Sequence, residues 1–246
     1  MSNIKIGITE RGDAGLDTSW AEKIDKTAYS VIITKNPCFE NFQQLCLNHK
    51  DKILLHVTIT GWGSTPMEPF VPMPEKVIAN VNKLLEYGFP KEQIVWRIDP
   101  IIPTKEGLDR ANYVFSLIQD LPIKRIRMSV LDAYNHTRNR MELIGFPLDY
   151  SEFSPPKNRF LEIDKLVKSW KDKGFIVETC AEPLLKEPLH IGCVNIEDAK
   201  YFGIDISSFN NINPQNRYGC LCCSYKTELL NKRQQCPHSC AYCYWK

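Results

Sequence analysis

The amino-acid sequence predicts an α/β protein: a partial (βα)6-type barrel whose cysteine-rich C-terminal segment folds back over the barrel mouth. Three observations carry that reading. Six short, β-branched, apolar runs recur along the chain. Amphipathic helical stretches separate the later ones. Eight of the ten cysteines fall at or after Cys180.

The six runs are "IKIGIT" (4–9), "SVIIT" (30–34), "ILLHVTIT" (53–60), "IVWRI" (94–98), "RIRMSV" (125–130) and "FIVET" (175–179). Their length and residue types are those of buried strands. Residues 74–87 open on a proline and stop at Gly88, a start and a stop signal for a helix. Residues 106–119 place Leu108, Ala111, Phe115 and Ile118 near one helical face. Residues 158–173 carry Phe160, Ile163, Leu166, Val167 and Trp170 at helical spacing and end at Gly174. Buried strands alternating with helices imply parallel pairing, and about six such units make a partial barrel rather than an eight-fold one. The barrel is expected over 1–190 and the cysteine-rich segment over 191–246, the two forming one unit.

Composition excludes several classes. Thirty-one basic against twenty-nine acidic side chains leave a net charge of +2, without the basic excess of a nucleic-acid binder. No apolar run approaches the roughly 18 residues of a membrane span. The N-terminal residues show no apolar signal region. The protein reads as soluble and cytoplasmic, with no membrane partner. In a reduced compartment, clustered thiols at short spacing point to metal.

A (βα) barrel keeps its chemistry at the carboxyl ends of its strands. Those ends are polar here: Glu10–Arg11, Lys35–Asn36–Pro37, Thr60–Gly61–Trp62–Gly63, Arg97 with Asp99–Pro100, Ser129 with Asp132, and Cys180–Ala181–Glu182. Any one of them reads as a capped turn; six together read as a lined mouth. Cys180 puts a thiol on that face.

The chain closes on "CPHSCAYCYWK", a C-x3-C-x2-C triplet of Cys236, Cys240 and Cys243. Three thiolates are one short of a closed structural zinc site. They fit three corners of a [4Fe–4S] cube and leave one iron open. Two alternatives stand: a zinc site completed by His238 or an upstream cysteine, and unligated thiols.

With Tyr242 before its last cysteine, the triplet resembles the signature of the radical S-adenosylmethionine (SAM) superfamily. An ordered set of motifs is closer still: "TKNP" (34–37), "TITGWG" (58–63) with "MEPFVP" (67–72), "VWRIDPI" (95–101), "TCAEP" (179–183), "GCVN" (192–195) and the terminal triplet. Together they resemble bacterial domain-of-unknown-function family 1848, a relative of spore photoproduct lyase. The resemblance implies a partial (βα)6 barrel and a [4Fe–4S] cluster on Cys236, Cys240 and Cys243. It implies that the open iron chelates SAM and that an electron donor such as flavodoxin or ferredoxin serves the site. It names no substrate. In the superfamily the triplet follows the first strand, and here it stands at the other end.

The resemblance also groups Cys180, Cys193, Cys220 and Cys222 as a second set, suited to an auxiliary [4Fe–4S] cluster or to zinc. The cluster is the preferred reading, because Cys180 lies at a strand end. Cys223 is extra and could replace Cys222. Cys38 and Cys46 read as small buried apolar residues. Candidate SAM contacts are Arg97 and Asp99, which share one strand face, with Lys35, Asn36, Glu182 and Tyr242. Arg97 and Asp99 read equally as a barrel-lining ion pair. The basic stretches 124–128 and 135–140 read as solvated faces, and the scattered histidines His56, His136 and His190 carry no role. Three function classes follow: a radical SAM enzyme on an unknown substrate, a nucleic-acid repair enzyme of the spore photoproduct lyase type, and a non-catalytic zinc-binding module.

Overall fold

The computed structural model of the chain describes residues 4–205, 221–222, 225–231 and 236–245. Its strands are β1 (Ile6–Ile8), β2 (Tyr29–Thr34), β3 (Ile53–Thr58), β4 (Ile94–Ile101), β5 (Arg125–Val130), β6 (Ile176–Thr179), β7 (Leu189–His190) and β8 (Lys226–Glu228). Its α-helices are α1 (Glu40–Asn48), α2 (Pro74–Glu86), α3 (Lys105–Ile118), α4 (Asn135–Leu143) and α5 (Lys157–Asp172). All pairings are parallel, in the order β7-β6-β5-β4-β3-β2-β1-β8. The six strands and three helices marked in the sequence are all present. Two short strands, β7 and β8, add to the six.

The strand period of two gives the sheet two different faces. Ile94, Trp96 and Ile98 of β4 point into the core with the helices, as do Ile126, Met128 and Val130 of β5. Val95 joins a smaller cluster on the other face with Ile6, Ile8, Tyr29, Val31 and Leu54. A 3-10 segment, Ile196–Phe202, covers that second face through Ile196 and Ala199.

Helix ends follow the sequence signals. α2 and α5 each run into a glycine with positive φ, Gly88 at 86° and Gly174 at 81°, the left-handed position that closes a helix. The residue after each glycine returns its amide to the last turn, Phe89 to the Leu84 carbonyl at 2.9 Å and Phe175 to that of Trp170 at 3.2 Å. α3 begins on Thr104, whose hydroxyl accepts from the Gly107 amide at 3.1 Å. Between α3 and α5, Phe115 stacks on Trp170 with ring centroids 5.3 Å apart. Among the described residues no helix is long and apolar enough to cross a membrane.

Trp170 is fully buried. Trp170→Ala should therefore destabilise the protein by about 3–5 kcal/mol, read as a lower urea midpoint; a shift equivalent to under about 1 kcal/mol would contradict this packing.

Candidate metal centres

Cys180 follows β6, Cys193 follows β7 and Cys222 precedes β8. Their sulfurs lie within 4.8 Å of one another, so three segments distant in sequence deliver three ligand atoms to one point. Cys193 and Cys222 are well packed, and each thiol hydrogen-bonds with its neighbours. The bond with Cys180 pulls the Cys222 thiol down, but the bond with Cys193 and burial outweigh it and push the thiol up to about 12. Three adjacent thiols of this kind stay protonated unless a cation takes the place of their protons. The set can hold a metal ion. Cys220, the fourth member expected from the sequence, lies outside the described residues, as does Cys223.

Beside this centre the inner face of the sheet is charged and buried. Arg125 and Arg127 of β5 both bind Glu178 of β6, at 2.9 and 2.8 Å, and Arg125 also binds Asp198 at 2.8 Å. Arg97 pairs with Asp99, whose other oxygen accepts from Ser129. Three guanidiniums thus meet three carboxylates. Burial first, then Arg127, Arg97 and Arg125, hold His56 well below the usual histidine range, so it sits there neutral. The stretch 124–128 is therefore not a solvated face. Arg127 is 1% exposed, because strand periodicity turns alternate residues inward whatever their charge.

The terminal loop packs against the segments that follow β3, β4 and β5. Cys240, Ala241 and Tyr242 are buried with Trp62, Met67, Val71, Ile102 and Leu131. The Ala241 amide donates to the Met67 carbonyl at 2.9 Å. Tyr242 donates its hydroxyl to Glu68 and accepts from Lys35 at 2.6 Å. Lys35 also binds Glu68 at 2.7 Å, and Thr60 donates to the other Glu68 oxygen at 2.6 Å. His238 donates from Nε2 to Asp13 at 2.8 Å and has Nδ1 against the Phe70 carbonyl at 3.1 Å. Both its ring nitrogens face oxygen, so His238 has none left to complete a zinc site. Cys240 is pushed up to about 12 by burial, against the pull of Lys35, and it feels the charges of Cys243 and Cys236. The sulfurs of Cys236, Cys240 and Cys243 do not gather within 4.8 Å as the other three do.

A second clamp comes from α4. Arg140 donates to the carbonyls of Ala241 at 3.0 Å, Trp245 at 3.2 Å, and Cys243. One turn earlier, His136 Nε2 meets the Tyr244 carbonyl at 2.8 Å. These residues share a helix face at i and i+4. The stretch 135–140 thus holds the chain's own backbone. It was unreadable as such because α4 buries only Thr137 and Met141 and carries little apolar signal.

The other expected contacts are less gathered. Asn36 is buried and accepts the Cys38 amide at 3.3 Å. Glu182 accepts the Val130 amide at 2.8 Å. The neighbouring Cys180 thiol and burial push the Cys193 thiol up, and Arg97 is close enough to pull against them, which ties the Arg97–Asp99 pair to the Cys180–Cys193–Cys222 centre. Cys46 is fully buried as expected, and Cys38 is half-buried with Asn80 Nδ2 donating to its sulfur at 3.4 Å. Asp13, Glu68 and Arg140 carry no individual role in the sequence reading, and His238 stands there only as a possible zinc ligand. The bond of His238 to Asp13 spans 225 positions, beyond the reach of any local pattern.

The fold and site together define a parallel α/β protein with a metal-competent cysteine centre and a cysteine loop seated at the carboxyl edge of its sheet. The family described as Domain of unknown function (DUF1848) matches residues 19–245, and the chain belongs to that family. Neither the curated proteins nor the solved structures yield a match.

Two outcomes follow. Arg140→Ala removes a charged donor to three carbonyls and should speed proteolytic cleavage within 236–245 and lower stability by about 1.5–3 kcal/mol or more, the scale for hydrogen bonds of a charged group; unchanged cleavage would refute the clamp. The second concerns acid. Burial raises Asp13, but bonds from His238, Thr34 and the Lys35 amide outweigh it and hold the carboxyl below its ordinary range. A carboxyl depressed in the fold contributes stability that is present above its unfolded pKa of about 4 and is lost as pH falls through the folded value. Asp13→Asn should therefore be clearly less stable than wild type at neutral pH, with the gap narrowing below about pH 4 in pH-dependent urea melts. A constant gap would contradict this account.

Proposed function

We infer that the protein is a radical SAM enzyme whose Cys236, Cys240 and Cys243 hold a [4Fe–4S] cluster with one open iron. The observation that carries this reading is the seating of the terminal loop. Its three cysteines are fixed at the carboxyl edge of a parallel sheet by Asp13, Lys35, Glu68 and Arg140. When bound, such a cluster supplies the electron that cleaves SAM to methionine and a 5′-deoxyadenosyl radical.

The chain's own groups have separable tasks. Tyr242 is held by Lys35 and Glu68, which anchors the loop beside Cys243. The Lys35 ammonium favours the thiolate of Cys240. Asn36, Glu182 and the Arg97–Asp99 pair are the strand-end groups from which SAM would draw contacts to its ribose and amino-acid end. A partial (βα)6 curvature of the sheet belongs to this reading, as do a cytoplasmic setting, an electron donor such as flavodoxin or ferredoxin, and an auxiliary centre of zinc or [4Fe–4S] on the Cys180 set. A small-molecule or peptide substrate is favoured over nucleic acid. Arg125, Arg127, Arg138 and Arg140, the arginines of the two basic stretches, are bound to the chain's own carboxylates and carbonyls, so these two stretches do not offer their arginines to phosphate.

Anaerobic reconstitution tests the reading. The wild type should gain a cluster at the terminal loop and form 5′-deoxyadenosine from SAM under reductant. Replacing Cys236, Cys240 and Cys243 together by alanine should remove about four irons per chain and abolish that product. Undiminished SAM cleavage in the triple variant would sink the reading, and a colourless protein that binds zinc alone would favour the non-catalytic module.

A further inference from the structure

The sheet has two free edges. β7 pairs with β6 and β8 pairs with β1, and no ladder among the described residues joins β7 to β8. The cysteine centre lies across that gap. Cys180 and Cys193 belong to the β6–β7 edge, and Cys222 leads into β8. The backbones themselves touch there. A Cβ added at Gly192 would stand 2.5 Å from the Leu221 carbonyl oxygen and 2.7 Å from the Cys222 amide nitrogen and Cα. Real atoms do not approach that closely, so position 192 needs the missing side chain of glycine. From the sheet interior, Arg127 donates to the Gly192 carbonyl at 2.9 Å and holds this segment in place.

We propose that a single tetrahedral ion of the zinc class takes three of its four ligands from Cys180, Cys193 and Cys222 and closes the sheet, tying its β6–β7 edge to its β8 edge. Sulfur spacing selects the ion. Zinc–sulfur bonds of about 2.3 Å set tetrahedral thiolates roughly 3.8 Å apart, inside the 4.8 Å that contains all three sulfurs. A four-iron cube would hold them roughly 6 Å apart. The Arg97 and Arg127 guanidiniums lie close enough to interact with Cys193 and offset the negative charge that three thiolates bring to one ion. Closure by an ion also explains how β7 and β8, two and three residues long, keep their places: each has one hydrogen-bonded neighbour and needs a second tether. The proposal rests on metal binding at these three thiols and not on radical chemistry at the terminal loop, so the two can fail separately.

The test uses the full chain purified without added iron or sulfide. Metal analysis should find one zinc per chain in the wild type and in the Cys236/Cys240/Cys243 triple alanine variant, and none in Cys193→Ser. Hydrogen exchange of the amides of β7 and β8 should rise roughly tenfold when zinc is lost, with α3 and α5 unchanged. Should Cys193→Ser fail to fold, chelator-stripped wild type gives the same comparison, and added zinc should restore protection. Gly192→Ala replaces no ligand side chain but drives a Cβ into the Leu221–Cys222 backbone, and should weaken zinc binding by roughly tenfold or more in competition with a chromophoric chelator, the scale for supporting residues of metal sites. Iron in place of zinc in the triple variant, a disulfide among the three cysteines by thiol counting, or β7 and β8 exchange that ignores zinc removal would each overturn the proposal.

Discussion

Burying a charge without a partner costs several kcal/mol, and the Lys35–Glu68 pair is where that constraint organises the molecule. Glu68 is 1% exposed. Its carboxylate is satisfied by Lys35, Thr60 and Tyr242, which come from the ends of β2 and β3 and from the terminal loop. Removing any one of them leaves a buried charge short of a bond. The loop and the strand ends are thus held by one shared requirement rather than by separate contacts. Asp13 repeats the arrangement after β1: its four bonds come from Gly15, Thr34, Lys35 and His238. The two carboxylates fix the loop from two sides, and the apolar cluster of Trp62, Met67 and Leu131 fills the space between.

The inner face of the sheet meets the same constraint differently. Arg97, Arg125 and Arg127 are matched by Asp99, Glu178 and Asp198 within the sheet and its covering segment. Net neutrality lets β4 and β5 remain central strands although both carry charges inward. A network of this kind contributes less to stability than apolar packing of equal volume. Its presence beside Cys193 fits the proposed metal, since thiolates on an ion there would make that corner negative and the arginines are close enough to meet it.

Much of this was legible in the chain. Strands β1 to β6 stood out because β-branched runs are bounded by turn residues. α2, α3 and α5 stood out because apolar spacing coincides with caps such as Gly88 and Gly174. α1 and α4 did not, because their buried residues are few and partly polar, Gln43 in one and Thr137 in the other. β7 and β8 are too short for any periodicity. In the site, Cys180, Cys193 and Cys222 were grouped, together with Cys220, by the family resemblance and not by their spacing. Asp13, Glu68 and Arg140 were not, since an acid or a base in a loop has no signature until its distant partner is known. The 124–128 stretch shows the same limit from the other direction: two arginines that look like a surface patch are interior because their strand is.

The position of the triplet at the far end of the chain is explained by topology. In the radical SAM superfamily, which the triplet resembles, the motif follows the first strand. Here the chain returns as β8, which lies beside β1, parallel to it and in register from Ile6–Lys226 to Ile8–Glu228. Leaving β8, the backbone emerges at the same edge as it does on leaving β1: Leu229 donates its amide to the Ile8 carbonyl at 2.8 Å, and Lys23 fastens the Leu229 carbonyl at 2.6 Å. A loop that follows β8 can therefore occupy the place of a loop that follows β1, and the bond of His238 to Asp13, just past β1, joins the two. On the proposed reading, sequence order differs from the superfamily's while the loop keeps a place beside the first strand. That relation depends on β8 staying beside β1, so whatever tethers the β8 edge also decides where the three terminal cysteines stand.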